Sequence, residues 1–119
     1  MMADRGLQFE TLRAGDFHQR LASSNGLAVV MFSGPACGTC RSVASRLPEV
    51  AARAGISELF LVNVETCTAI AREFEIFHLP TLLLYKDGEF HAQIQSAVTA
   101  QAFSAAVHQA LAHPAQEAP

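Results

Sequence analysis

The 119-residue chain contains no tryptophan, only three cysteines and no surplus of positive charge. Three cysteines are too few to staple a small secreted scaffold, so a disulfide-built extracellular module is not expected. Eight Lys and Arg against eleven Asp and Glu give a formal charge of −3. That is too weak for long-range steering, and no basic cluster offers nucleic acid a footprint. The longest apolar runs are too short to cross a bilayer. The first thirty residues hold no basic segment followed by an apolar one, and Met1-Met2-Ala3-Asp4 reads as a natural start. A reducing cytoplasm is therefore the expected compartment. What is present is half apolar and 16% charged, enough for one hydrophobic core. A single domain over residues 1–112 is expected, followed by a tail over 113–119 that has nothing to bury and should be disordered.

Unbroken apolar segments at 27–32 and 59–64 have the character of strands buried on both faces of a parallel sheet. A short strand over 7–11 precedes them, then a helix over about 17–24 with Asp16 as its cap and Asn25-Gly26 as its end. Cys40, Val43, Ala44, Leu47 and Ala51 recur at helical spacing until Gly55. Pro48 lies inside that stripe, where it removes a backbone donor and should kink the helix. Thr66 is placed to cap a short helix presenting Ile70, Ala71 and Phe74. Leu82 to Tyr85 reads as a strand, Asp87-Gly88 as a two-residue hairpin turn, and 89–95 as the return strand. A last helix from about Thr99 puts Phe103, Ala106, Val107, Ala110 and Leu111 on one face. Strands separated by helices imply an α/β fold: a mixed central sheet of four to five strands, helices on both faces, and an antiparallel hairpin at one edge.

The chemistry concentrates in Phe32-Ser33-Gly34-Pro35-Ala36-Cys37-Gly38-Thr39-Cys40-Arg41, where an apolar strand gives way to helical spacing. Active sites of such sheets lie just past the carboxyl ends of strands, which is where Cys37 falls. Positions i and i+3 share a helix face, so Cys37 and Cys40 can close a disulfide with little backbone movement. At a helix N-terminus the free N–H groups and the macrodipole favour an anion, hence a thiolate at Cys37, and the thiolate is the nucleophile. Zinc is the other chemistry open to these side chains, since Cys67 and His78 could complete a set of three cysteines and one histidine. The second tight pair usual in structural zinc sites is missing. His18, His91, His108 and His113 read as surface residues.

Val29 to Phe32 leading into Cys37-Gly38-Thr39-Cys40-Arg41, and Leu79-Pro80-Thr81-Leu82-Leu83-Leu84-Tyr85-Lys86-Asp87-Gly88-Glu89 about forty residues later, resemble the thioredoxin family. Element order and spacing agree over about residues 7–112. The resemblance implies a thioredoxin fold with Pro80 in the cis form, in a loop that faces the cysteine pair. It implies Cys37 as attacking nucleophile and Cys40 as resolving thiol. Gly38, Thr39, Leu79, Pro80, Thr81 and Ser96 would bind substrate, with the Leu79 backbone pairing to an extended peptide. The implied activity is thiol–disulfide exchange on disulfide-containing protein substrates. It would run without cofactor or metal, in a monomer, with electrons from a reductase or a small thiol.

Departures from the family pattern carry their own expectations. Ala36 and Thr39 stand where Trp and Pro are usual, which removes a flat apolar wall beside the nucleophile. Met31 and Leu61 align with a buried Asp and its Lys partner. Losing both together is energetically sensible, because one buried charge left unpaired is costly. The Asp is thought to help move the resolving thiol's proton, so Cys40 should be a poorer nucleophile and mixed disulfides should release slowly. Ser45 replaces a usual helix proline, and Ser96 a groove glycine, narrowing the groove. His78, two residues before Pro80, either borders the site, where its charged form would favour the Cys37 thiolate, or faces solvent. Cys67 reads as a tolerated small residue, or as the extra cysteine of animal thioredoxins through which oxidation or dimerisation proceeds. The reading from a different class is a chaperone-like, peptide-binding module that keeps the fold and groove for one client.

Overall fold

The apolar runs become strands and the helical stripes become helices. Their order is β1 (Phe9–Thr11), α1 (Phe17–Ala22), β2 (Leu27–Ser33), α2 (Gly38–Arg53), β3 (Glu58–Asn63), α3 (Thr68–Glu73), β4 (Thr81–Lys86), β5 (Glu89–Ile94) and α4 (Ala100–Leu111). The computed structural model describes residues 7–119, so Met1-Met2-Ala3-Asp4 lies outside the described residues. The strands form one five-stranded sheet ordered β1-β3-β2-β4-β5. β1, β3 and β2 run parallel, while β4 is antiparallel to β2 and β5 to β4.

Side chains alternate across a strand, so a central strand covered on both sides must be apolar at every position. Ala28, Val29, Val30, Met31 and Phe32 of β2 are all 0% exposed. Val29 and Met31 enter the layer under α2 and α4 with Cys40, Leu47, Phe103 and Val107. Ala28, Val30 and Phe32 enter the opposite layer with Phe17, Leu21, Ile70 and Phe74. α2 buries Cys40, Val43, Leu47 and Ala51 and runs as one helix through Pro48. Gly55, at φ +89°, takes the left-handed conformation that ends it. The hairpin turn places Asp87 and Gly88 at φ +51° and +85°. A Cβ on Gly88 would sit 2.7 Å from the Ala22 carbonyl oxygen, so glycine is required there.

Several expectations are not met, some for local and some for longer-range reasons. Asp16 precedes α1 but makes no side-chain cap bond, because its backbone (φ −103°, ψ −13°) lacks the extended geometry of an N-cap. Cys67, not Thr66, occupies the N-cap of α3, and the Thr66 hydroxyl donates to the Asn63 carbonyl instead. Thr99 does cap α4, accepting from the Ala102 amide at 3.2 Å. His91 is not a surface residue: it is 8% exposed, with Nε2 2.8 Å from the Ala110 carbonyl oxygen of α4. Residues 113–119 are exposed, yet Gln116 ties them to β5 at the sheet's edge. Its amide donates to the His91 carbonyl at 2.7 Å and its side-chain oxygen accepts from the Gln93 amide at 3.1 Å.

The other edge is secured by charge. Arg20 of α1 bonds Glu10 of β1 at 3.0 Å and Glu58 of β3 at 2.8 Å, with its guanidinium carbon 4.9 Å from the Phe60 ring centre. Ser24 also donates to Glu58. That hydrogen bond, chiefly, holds the Glu58 carboxyl below the usual carboxylate range; partial burial opposes it and Arg20 reinforces it. A carboxyl whose folded value is depressed adds stability above the unfolded value, and that stability is lost as pH falls through the folded value. Glu58→Gln should therefore lower unfolding free energy by about 1–2 kcal/mol at neutral pH. In urea titrations the deficit should shrink as pH falls through the depressed folded value, where the native carboxyl also protonates.

Candidate redox site

β2 ends at Ser33, and four residues later Cys37 caps α2. The turn between them is pressed against the loop before β4. A Cβ on Gly34 would lie 3.0 Å from Leu79 Cδ1 and 3.7 Å from Val64 Cγ2, so the absent side chain lets the two loops meet. Leu79 and Cys37 pack on the same core layer as Met31 and Cys40. The Leu79-Pro80 peptide is cis. The Thr81 hydroxyl donates to the His78 carbonyl at 2.6 Å and closes the turn that holds it.

Cys37 has the extended backbone of an N-cap (φ −108°, ψ 100°), and its sulfur accepts from the Cys40 amide at 3.1 Å. A side chain that accepts from the first turn of a helix satisfies one of its orphan donors, and negative charge on that acceptor strengthens the bond. The two cysteines are disulfide-bonded, with Cα atoms 5.2 Å apart. Their environments differ: Cys37 is half-buried, whereas Cys40 is 2% exposed within the core. An incoming group can reach the outer sulfur and not the inner one. The first turn of α2 carries no acidic residue, and the Arg41 guanidinium comes within 3.8 Å of the position a Gly38 Cβ would take. Local charge thus favours an anion at the outer sulfur.

Beside the pair lies a groove of about 390 Å³ between α2, residues 78–82 and residues 93–98. Thr39, Pro80, Thr81, Ser96 and His78 line it, together with Val43, Arg46, Gln93 and Val98. His78 thus borders the site while remaining exposed. Gly38 is at the exposed mouth of the helix, Leu79 is packed in the core, and Ala36 is exposed. The Ser96 hydroxyl donates to the Ala97 carbonyl. Arg46, Gln93 and Val98 were missed from the sequence. The signal for Arg46 was its place three residues after Val43, at the margin of the buried stripe rather than on the opposite face.

Met31 and Leu61 are direct partners across β2 and β3, and Leu82 faces Met31 from β4. All three belong to the layer that contains Cys40. The resolving sulfur therefore lies in an apolar core layer. Cys67 lies in the other layer, buried, with its sulfur 3.6 Å from the Leu12 carbonyl oxygen. The sheet separates it from Cys40, which rules out the zinc set of Cys37, Cys40, Cys67 and His78. Among the described residues no cluster of three or more His, Cys, Asp or Glu could hold a metal.

Fold and cysteine pair together define a dithiol protein built on one α/β sheet. The thioredoxin family model matches residues 8–109, and the chain belongs to that family. It is 36% identical over 67 residues to a thioredoxin of Aspergillus fumigatus, which covers 56% of this chain and 62% of that protein. It is 38% identical over 74 residues to the thioredoxin of Mycobacterium bovis, covering 61% of this chain and 64% of that one. The matched stretch is thus under two-thirds of either relative's length. Among solved structures, the zinc-bound form of human ERp44 superposes with a TM-score of 0.72 at 16% identity, over 86% of this chain and 31% of that one. The first two thioredoxin domains of Naumovozyma dairenensis Eps1p give 0.64 at 22% identity, over 85% and 39%. These likenesses concern the fold.

Met31→Asp would place a carboxylate under Cys40 with aliphatic neighbours on both flanking strands. An unpaired buried charge costs about 3–5 kcal/mol, and Leu61→Lys, at the half-buried partner position, should recover part of that loss. Urea unfolding of the single and double variants measures it; additive losses would show that the two positions do not communicate.

Proposed function

We propose that this chain is a thiol–disulfide oxidoreductase that reduces or exchanges protein disulfides through Cys37 and Cys40. One observation carries the reading: a half-buried Cys37 caps α2, holds the Cys40 amide on its sulfur, and is already bonded to a buried Cys40. In the reduced protein the Cys37 thiolate attacks one sulfur of a substrate disulfide. That S–S bond breaks, a mixed disulfide forms, and the first substrate sulfur leaves as a thiolate and takes a proton from water. Cys40 then gives up its proton and attacks the Cys37 sulfur, restoring the intramolecular disulfide and freeing the second substrate sulfur, which is protonated in turn. Two electrons pass from the dithiol to the substrate, which ends as two thiols; Cys40 releases one proton, and solvent supplies the other in place of the one Cys37 lost on ionising. Two electrons from a reductase or a small thiol, delivered by the reverse exchange, regenerate the dithiol.

The groove and the cis loop support an extended substrate segment lying along Leu79-Pro80, with flanking side chains between Thr39 and Ser96. The free Cys67 is buried rather than offered for cross-linking, which supports a monomer; the setting proposed is reducing and cytoplasmic. With Met31 and Leu61 where the family pattern has an Asp and a Lys, Cys40 lacks that carboxylate as a proton acceptor, so release is the slow half-reaction. Met31→Asp should speed release of a preformed mixed disulfide by at least about tenfold, a floor set below the roughly 10²–10⁴-fold of a well-positioned base. An unchanged release rate would refute that assignment.

Turnover of a generic disulfide protein should vanish in Cys37→Ser. In Cys40→Ser the first attack persists and the substrate stays covalently attached, visible on non-reducing gels. Turnover that survives Cys37→Ser, or a wild type that binds extended peptides and reduces none, would replace the enzyme with a client-binding module. The Cys37 thiolate should form at lower pH than that of free cysteine. Ultraviolet titration of the reduced protein, set against Cys37→Ser, isolates that step.

A further inference from the structure

The groove beside the dithiol is electrostatically one-sided. Its lining carries one permanent cation, Arg46, and one imidazole, His78, and no carboxylate. Arg46 is exposed, and its guanidinium donates to the Val98 carbonyl at 3.2 Å, with longer contacts to the Ser42 carbonyl (3.4 Å) and hydroxyl (3.5 Å). Among the described residues the salt bridges engage Arg20, Arg53 and His18. Arg46 thus has no carboxylate partner there, and a guanidinium with five N–H donors keeps capacity for one. Its reach is set by the helix. Side chains on a helix lean toward the N-terminus, and the contacts with Ser42 put the guanidinium about one turn back from its own Cα. Five residues at about 1.5 Å of rise each separate that level from Cys37, or roughly 7–8 Å along the helix axis. An extended peptide advances about 3.3 Å per residue, so this distance corresponds to two residues of substrate.

We infer that Arg46 is a specificity residue that selects substrates bearing an acidic side chain two residues from the reacting cysteine. The inference rests on the redox reading above and names the substrate class for the same groove. The chain as a whole has a formal charge of −3, which gives an acidic peptide no overall attraction. A preference for an acidic peptide would have to arise locally, at the groove. The rival account is that Arg46 only ties α2 to the loop at Val98, which would affect every substrate alike.

Two short peptides distinguish the accounts. Each is a symmetric disulfide dimer, identical except for Glu or Lys two residues from the cysteine. The readout is the rate of peptide-thiol appearance with pre-reduced full-length protein at low ionic strength. Wild type should favour the Glu peptide by about fivefold, the scale of one exposed ion pair. Added salt should shrink that ratio. Arg46→Lys should keep the preference, and Arg46→Glu should invert it. Loosening of the Val98 tie would slow both peptides equally and leave the ratio untouched. A wild-type ratio near one, or a ratio unchanged in Arg46→Glu, overturns the inference while the redox reading stands. Failure to reduce either peptide overturns the redox reading, and the inference falls with it.

Discussion

Five consecutive side chains of β2 are shut off from water on both faces of the sheet, and that double burial constrains the rest of the molecule. Each large apolar side chain removed from water contributes about 1.5–3 kcal/mol. A strand buried in this way requires a helical layer on each side, and the chain supplies α2 with α4 on one and α1 with α3 on the other. It must also be flanked by strands, which β3 and β4 provide. Having run through the interior, the chain emerges at Ser33 and turns directly into α2. The reactive position at Cys37 is thus a consequence of core packing: the first backbone amides of α2 open at the sheet's carboxyl edge, facing the loop of Leu79 and Pro80.

The two ends of α2's first turn face different media, and the chemistry follows from that difference. Cys37 meets solvent and the Cys40 amide at the opening of α2, both of which suit an anionic sulfur. Cys40 shares its core layer with Met31, Leu61 and Leu82, side chains that offer a thiolate neither hydrogen bond nor charge. Attack is assisted and resolution is not. The same replacement of polar by apolar atoms removes a buried ion pair whose desolvation offsets most of its attraction, so the core gives up little stability by it.

Stability at the sheet's edges is handled away from the dithiol. Open edges expose unpaired N–H and C=O groups. β1 is a three-residue strand tied down by Arg20 through Glu10 and Glu58, and β5 is covered in part by Gln116 from the tail. The Arg20 cluster joins β1, α1 and β3, so its pH dependence concerns unfolding rather than redox turnover. His91 bridges β5 to α4 behind the groove.

Much of this was legible in the primary structure because it depends on near neighbours. Period-two and period-3.6 spacing follow from backbone geometry, so strands, helices and their order could be read off. The Asp-Gly turn and the cysteine pair at the strand-to-helix switch are also local. What failed involved partners far along the chain. His91 reads as exposed from local pattern, yet α4, some twenty residues on, covers it. Cys67 and Cys40 seemed able to share a metal because linear spacing says nothing of which side of a sheet a residue occupies. Arg46 became part of a groove through residues 93–98, fifty positions away. Short-range regularities thus establish the fold and its reactive pair. Which groups surround that pair, and with what charge, depends on strand order and long-range closure, which no local pattern encodes.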